Sequence, residues 1–215
     1  MSQGRFFAAA MAMASLPIGP AGAQAIEEIV VTVQKREQTQ QEVPLAVAAF
    51  DGDYLRNINA QDFREVIRLT PGFNGNTADS FNDALAVRGI STNAFGVGGD
   101  GSIPIFVDGV FEGRNGGLIT SFLDVERIEV VRGPQNTLFG RNAVAGAVSV
   151  TTNRPDTDGV SGRVVGGVEE FGHVDFAGTL NLPLNDRWAF RGSVGYLTED
   201  GYLTNLAGTR DLGAV

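Results

Sequence analysis

Asp124–Pro155 reads DVERIEVVRGPQNTLFGRNAVAGAVSVTTNRP, a strand, a glycine-rich connection and a second strand. Val125–Val131 alternates apolar and charged side chains, the period of a half-buried strand, with Glu126 and Glu129 on its solvated face. Arg132-Gly133-Pro134 ends the run, because proline lacks an amide donor and glycine admits angles other residues avoid. Ala143–Thr152 is β-prone again, and the small residues Ala143, Ala145, Gly146 and Ala147 let a neighbouring backbone come close.

Taken whole, Glu126–Pro155 resembles the end of the plug domain of TonB-dependent outer-membrane receptors, whose hallmark runs ERIEVVRGPxxxLFGxxAxxGxVxxxTxxP. The match holds almost position for position. The bland alternative is a glycine-rich hairpin in a soluble sheet protein. The resemblance implies an α+β plug, with a small mixed β-sheet and short helices, followed by antiparallel strands of a transmembrane β-barrel.

The chain has 215 residues, 43% of them hydrophobic, with 29 glycines and a formal charge of −9. That acidity argues against a nucleic-acid surface. With no cysteine, disulfides, thiolate metal sites and cysteine nucleophiles are excluded. No apolar run reaches the ~18 residues of a membrane helix. Residues 1–23 read as a signal peptide. Arg5 precedes the apolar run Phe6–Ile18, and the small residues Ala21–Ala25 allow cleavage after Ala23 or Ala25. Export to the cell outer membrane of a bacterium is the expectation.

Residues 26–42 form the next segment. Ile26–Val33 is a short β-prone run, and the polar stretch 34–42 without periodicity reads as a flexible tether. An extended, unpaired strand at a chain end suits pairing with a partner's sheet edge. By resemblance Glu28, Ile29, Val30, Val31, Thr32 and Val33 form the TonB box, grasped by a TonB-type periplasmic energy-coupling protein. The competing reading is an ordinary first strand of the plug sheet. No signalling domain is expected before the box.

Residues 43–155 are expected to form the plug. Val43–Phe50 reads as a strand with Pro44 near its start. Asp51 caps a short helix containing Tyr54, Leu55 and Ile58. Asn59 and Asp62 make a loose capping box before a second helix. There Phe63, Val66 and Ile67 share one face, and Thr70-Pro71-Gly72 ends it. Residues 73–83 and 91–102 read as loops, Ala84–Ile90 as a strand, and Asp108-Gly109 as a turn after Ile103–Val107. The phrases IRLTPG, RG and VDGV are similar to those of the family. By that resemblance Arg88, Arg132 and Arg141 are candidate plug–barrel anchors, against a reading as plain surface arginines. Likewise Asn76, Phe81, Asn93, Phe95 and Asp100 are candidate ligand contacts, against a reading as solvated loop residues.

From residue 156 to 215 the period is two again. Val174, Phe176, Gly178, Leu180 and Leu182 alternate with polar or small residues, as do Trp188, Phe190, Gly192, Val194 and Tyr196. Pro183–Asp186 reads as a tight turn, with Trp188 beside it as an interfacial aromatic. Strands of ~10 residues of this kind are the mark of a membrane barrel. Plugged transporters need about 22 strands, and the residues after Pro155 suffice for about four. The expectation is therefore a truncated barrel in a fragment of a longer receptor.

Catalytic readings find little support. Gly133–Asn142 lacks the Lys-Ser/Thr of a phosphate loop, no G-x-S-x-G elbow is present, and the single histidine, His173, sits at an expected turn. No enzyme, cofactor or metal is expected. The resemblance implies active uptake of a scarce ligand, foremost a ferric siderophore or other metal chelate, by a monomer in outer-membrane lipid. The alternative is a free-standing periplasmic plug-like module without transport activity.

Overall fold

The computed structural model of the protein describes residues 30–31, 38–60, 62–76, 84–92, 100–113, 122–170 and 172–198. The signal-peptide reading, most of the box and the chain after Thr198 lie outside these.

Thirteen strands and three short helices are described, in the order β1 (Val30–Val31), β2 (Gln38–Thr39), β3 (Ala46–Asp51), α1 (Gly52–Asn57), α2 (Phe63–Leu69), β4 (Phe73–Asn76), β5 (Ala84–Val87), β6 (Ile90–Ser91), β7 (Ile105–Val107), β8 (Val110–Glu112), β9 (Val125–Arg132), α3 (Asn136–Phe139), β10 (Gly146–Thr152), β11 (Ser161–Val168), β12 (Val174–Asn185) and β13 (Trp188–Thr198). The plug is built on a mixed five-stranded sheet in the order β3-β9-β10-β7-β8. Strand β10 runs antiparallel to β9 and parallel to β7.

The quoted stretch forms the spine of that sheet. At Gly146 the ladder is so close that a Cβ would collide with the carbonyl oxygen of Val131. Gly133 turns the chain after β9 at φ 118°, a region that favours glycine. The side chains of Ile128 and Val130 enter a core shared with Leu55, Phe63, Val66, Ile67, Phe73, Leu85, Ile105 and Val148. Val131, on the opposite face, joins Val31, Val43, Val47 and Ala49. A register shift at Thr151/Thr152 marks a bulge, and it lets Val125 and Ile128, three residues apart, both pack into the first core.

Helices α1 and α2 are each capped by an aspartate. Asp51 Oδ1 accepts from the Tyr54 amide at 2.6 Å. The second cap is Asp62 with Glu65 in a full capping box, rather than Asn59 with Asp62. Asp62 lies one residue before the first helical position, which is where the free amides are.

Several other details differ from the sequence reading. Glu129 is fully buried, not solvated, with Arg127 Nε 3.2 Å from its Oε1, because a second apolar layer covers that face of the sheet. Within the stretch 73–83, Phe73–Asn76 pairs with β5 as strand β4. Pro183 stays within β12 opposite Ala189. The turn comes at Asp186-Arg187, where Asn185 Oδ1 accepts from the amides of Arg187 (2.9 Å) and Trp188 (3.0 Å).

Strands β11-β12-β13 make a separate antiparallel sheet. On β13, Trp188, Phe190, Val194 and Tyr196 all face outwards and are more than half exposed, joined by Phe176 and Leu180 of β12. The intervening residues face the plug. Three strands with one apolar face and one plug-facing face are wall, not a closed barrel.

Candidate functional site

Four of the six box residues, Glu28, Ile29, Thr32 and Val33, lie outside the described residues. Val30 and Val31 form β1, which is paired rather than free: Val30 stands opposite Thr39 and Val31 opposite Gln38. Part of the expected tether is thus a strand. Its fold is local, since Thr39 N donates to Glu42 Oε2 (3.3 Å) and Glu42 N donates to Thr39 O (3.0 Å). Gln40 Nε2 donates to Val47 O at 2.9 Å, tying the segment to β3. Val31 is completely buried against Val43, Val47, Ala49 and Val131.

Three turns that the sequence singled out converge at the far end of β9. Arg132 Nη1 donates to the Pro71 carbonyl at 2.9 Å, and the Arg88 amide donates to Gly72 O at 2.8 Å. The Arg88 guanidinium lies beside Gly133. Arg141 Nη2 lies 3.4 Å from Asp100 Oδ2, which also accepts from Asn142 Nδ2 at 2.8 Å. Among the described residues, the contacts of these three arginines lie within the plug. Asp100 thereby braces the loop after α3. Asn76 ends β4 opposite Ala84, and Phe81, Asn93 and Phe95 lie outside the described residues.

The described contact between plug and wall with the most bonds involves residues that the sequence reading passed over. Asp124 sits immediately before β9 at φ 57°. Its carboxylate accepts from Arg191 Nε and Nη2 of β13, both at 2.6 Å. The two side chains are 10% and 17% exposed, so the pair is largely shielded. Asn153 holds Asp124 from the plug side. Its amide and Nδ2 donate to Asp124 O at 3.0 and 3.1 Å, and Nδ2 also reaches Asp124 Oδ1 at 2.9 Å.

Directly opposite Arg191, Asn181 of β12 is buried and uses its whole amide group. Nδ2 donates to Asp156 O (3.1 Å) and Gly159 O (3.0 Å), and Oδ1 accepts from Asp156 N (3.1 Å). The chain linking plug to wall is therefore stitched to the wall. Asp108, expected only as a turn residue, also accepts from Thr152 N (2.9 Å) and Thr152 Oγ1 (2.7 Å), securing the end of β10. A cavity of about 460 Å³ lies between α1 and the inner face of β11–β13, lined by Leu55, Arg56, Asn153, Thr179 and Arg191.

Comparison with known proteins gives a consistent picture. Residues 39–147 match the family described as the TonB-dependent receptor plug domain. The pesticin receptor of Yersinia enterocolitica serotype O:8 is 31% identical over 150 residues, covering 68% of this chain and 22% of that receptor. The vitamin B12 transporter BtuB of Vibrio vulnificus is 28% identical over 159 residues, covering 69% and 25%. Among solved structures, the ferric yersiniabactin uptake receptor FyuA of Yersinia pestis superposes with a TM-score of 0.67 at 27% identity, covering 79% of this chain and 27% of that one. The chain spans about a quarter of the length of these proteins.

Proposed function

This chain belongs to the TonB-dependent receptors of the bacterial outer membrane, and we propose that it is the N-terminal part of a transporter that takes up a ferric siderophore, energised through β1. The observation that carries the reading is a short strand lying just ahead of the plug sheet, paired with β2 of its own tether and not with that sheet, and seated on the plug, among the described residues, by the buried Val31. A segment fastened so lightly can be withdrawn and paired, main chain to main chain, with the sheet edge of a TonB-type coupling protein.

In this reading, ligand binds outside, on the plug and on barrel loops. The coupling protein then captures β1 in the periplasm and pulls, and part of the plug moves so that the ligand passes. The likeness to the ferric yersiniabactin receptor supports an iron chelate as cargo, and the likeness to the vitamin B12 transporter makes a corrinoid the second ligand to test. The outward aromatic residues Trp188 and Tyr196 stand at the two ends of β13, about 27 Å apart at ~3.4 Å per residue. On a strand tilted by about 35–45° that length rises about 19–22 Å along the membrane normal, most of an apolar band ~25 Å tall.

The test is uptake by the full-length receptor in cells lacking their own siderophore receptors. Labelled ferric siderophores should accumulate only when the coupling protein is present. Accumulation without it, or none of any chelate or corrinoid tried, would contradict the reading.

A further inference from the structure

The inner face of the wall changes character along its strands. The rung nearest the linker, Ser161–Asn181–Arg191, is occupied by the plug corner at Asp124 and Asp156. The next, Arg163–Thr179–Ser193, is polar, and the one after, Val165–Ala177–Gly195, is small and apolar. Arg163, Thr179, Val165 and Ala177 of these rungs line the cavity of about 460 Å³, with Leu55 and Arg56 of α1 on its other side. Plug and wall touch at its edge, where a Cβ on Gly195 would stand 3.3 Å from Leu123 Cδ1. A cavity of a few hundred Å³ with an apolar lining and a few polar groups is the usual form of a small-molecule site.

Charge around this cavity is uneven. Each nearby carboxylate is engaged elsewhere. Asp124 is taken up by Arg191, and Asp156 accepts from the Asp158 amide at 3.2 Å within the linker. Asp53 meets Arg56 at the exposed edge of α1, while Arg56 Nη1 donates to Val125 O at 3.5 Å. Asp175 lies further along β12 from Thr179, by about 14 Å at roughly 3.4 Å per residue. Its Oδ1 sits over Gly167, where a Cβ would collide with it, and is 3.5 Å from His173 Nε2. Arg163 is the contrast. Among the described residues it makes no hydrogen bond or ion pair, although it lines the cavity. Its planar fork of donors matches a carboxylate.

We propose that the cavity is an interior binding site for a small anionic chelate. Its carboxylate is held by Arg163, and its body lies on Val165, Ala177 and Leu55. The source of the ligand rests on the transporter reading: the cargo meets this site between plug and wall after leaving the outer surface.

The test uses the full-length receptor in lipid, with Thr179→Cys, the register partner of Arg163, as its only thiol. Labelling rates of a sulfonate-bearing and a trimethylammonium-bearing methanethiosulfonate are each normalised to a free thiol in solution. The sulfonate should be favoured by about fivefold, because one uncompensated charge draws in one reagent and repels the other. Equal rates, a preference for the cation, or a thiol that reacts only after unfolding would overturn the site. Ferric citrate, an iron chelate with carboxylates, should then slow labelling by the uncharged N-ethylmaleimide several-fold at matched ionic strength. Arg163→Lys should keep part of that protection and Arg163→Gln should lose it. Labelling indifferent to ferric citrate, or protection that survives Arg163→Gln, would overturn the proposal. A receptor that accumulates nothing counts against the transporter reading alone, since labelling needs no transport.

Discussion

Asn181 and Arg191 stand directly opposite each other across β12 and β13, and both side chains turn inwards to the plug. One grips the linker and the other grips Asp124. A single rung of the β12–β13 hairpin thus fixes both the place where the chain leaves the plug and the place where β9 begins. Local sequence gives no hint of this, since Asp124 and Arg191 lie 67 residues apart.

Arg191→Ala should destabilise the plug–wall contact by about 3–5 kcal/mol, because it leaves the Asp124 carboxylate shielded and unpaired. Arg191→Ala combined with Asp124→Ala should cost less than the sum of the single changes. Melting of the full-length receptor in detergent, followed by proteolysis of the plug, reads both.

Asn181→Asp should be more harmful than Asn181→Ala. The aspartate keeps an acceptor for the Asp156 amide but sets charge against the carbonyls of Asp156 and Gly159, where a donor is needed. Alanine leaves those carbonyls to water or to themselves, at about 1–3 kcal/mol for each group left without a partner. Limited proteolysis between Pro155 and Ser161 should rise in both, and more in the aspartate.

Val31→Asp should release β1 without unfolding the plug. The buried site at Val43, Val47, Ala49 and Val131 is apolar, so a carboxylate would remain in water instead. Protease cutting between residues 30 and 45 should increase, while the melting of the five-stranded sheet changes little.

Asp62 carries a pH dependence of definite sign. Burial raises its carboxyl above the ordinary 3.8, against the opposing bond from the Arg64 amide. The folded state therefore holds this proton more tightly than the unfolded one. Its contribution to stability is present below about pH 3.8 and is lost as pH rises through the higher folded value. Asp62→Asn keeps the acceptor for the amide, so its stability relative to the unchanged protein should improve across that window. Asp62→Ala should lose about 1 kcal/mol of helix capping. Denaturant titrations at several pH values separate the two.

What was legible in the sequence was what depends on period and on turn chemistry. The β9–β10 hairpin showed itself through Gly133 and Gly146, α2 through Phe63, Val66 and Ile67, and the wall strands through alternation from Val174 to Tyr196. What stayed hidden depends on distant partners. Glu129 looked solvated because alternation records a face and not what covers it. Asn181 looked like one more inward polar residue, although its amide is saturated by the linker. Asp108 looked like a turn residue and is one, but its carboxylate also ends β10. The arginines selected by resemblance did come together with the plug's own turns, and Arg141 met Asp100, a residue first considered for ligand.

The most direct test of the energy-coupling role assigned to β1 is uptake by the full-length receptor carrying Val31→Pro. Proline removes the amide donor and bends the strand, so ligand should bind at the cell surface as before while coupled uptake falls to the level seen without the coupling protein. Uptake at the unaltered rate would contradict the assignment of Val30–Val31 as the strand the coupling protein grasps.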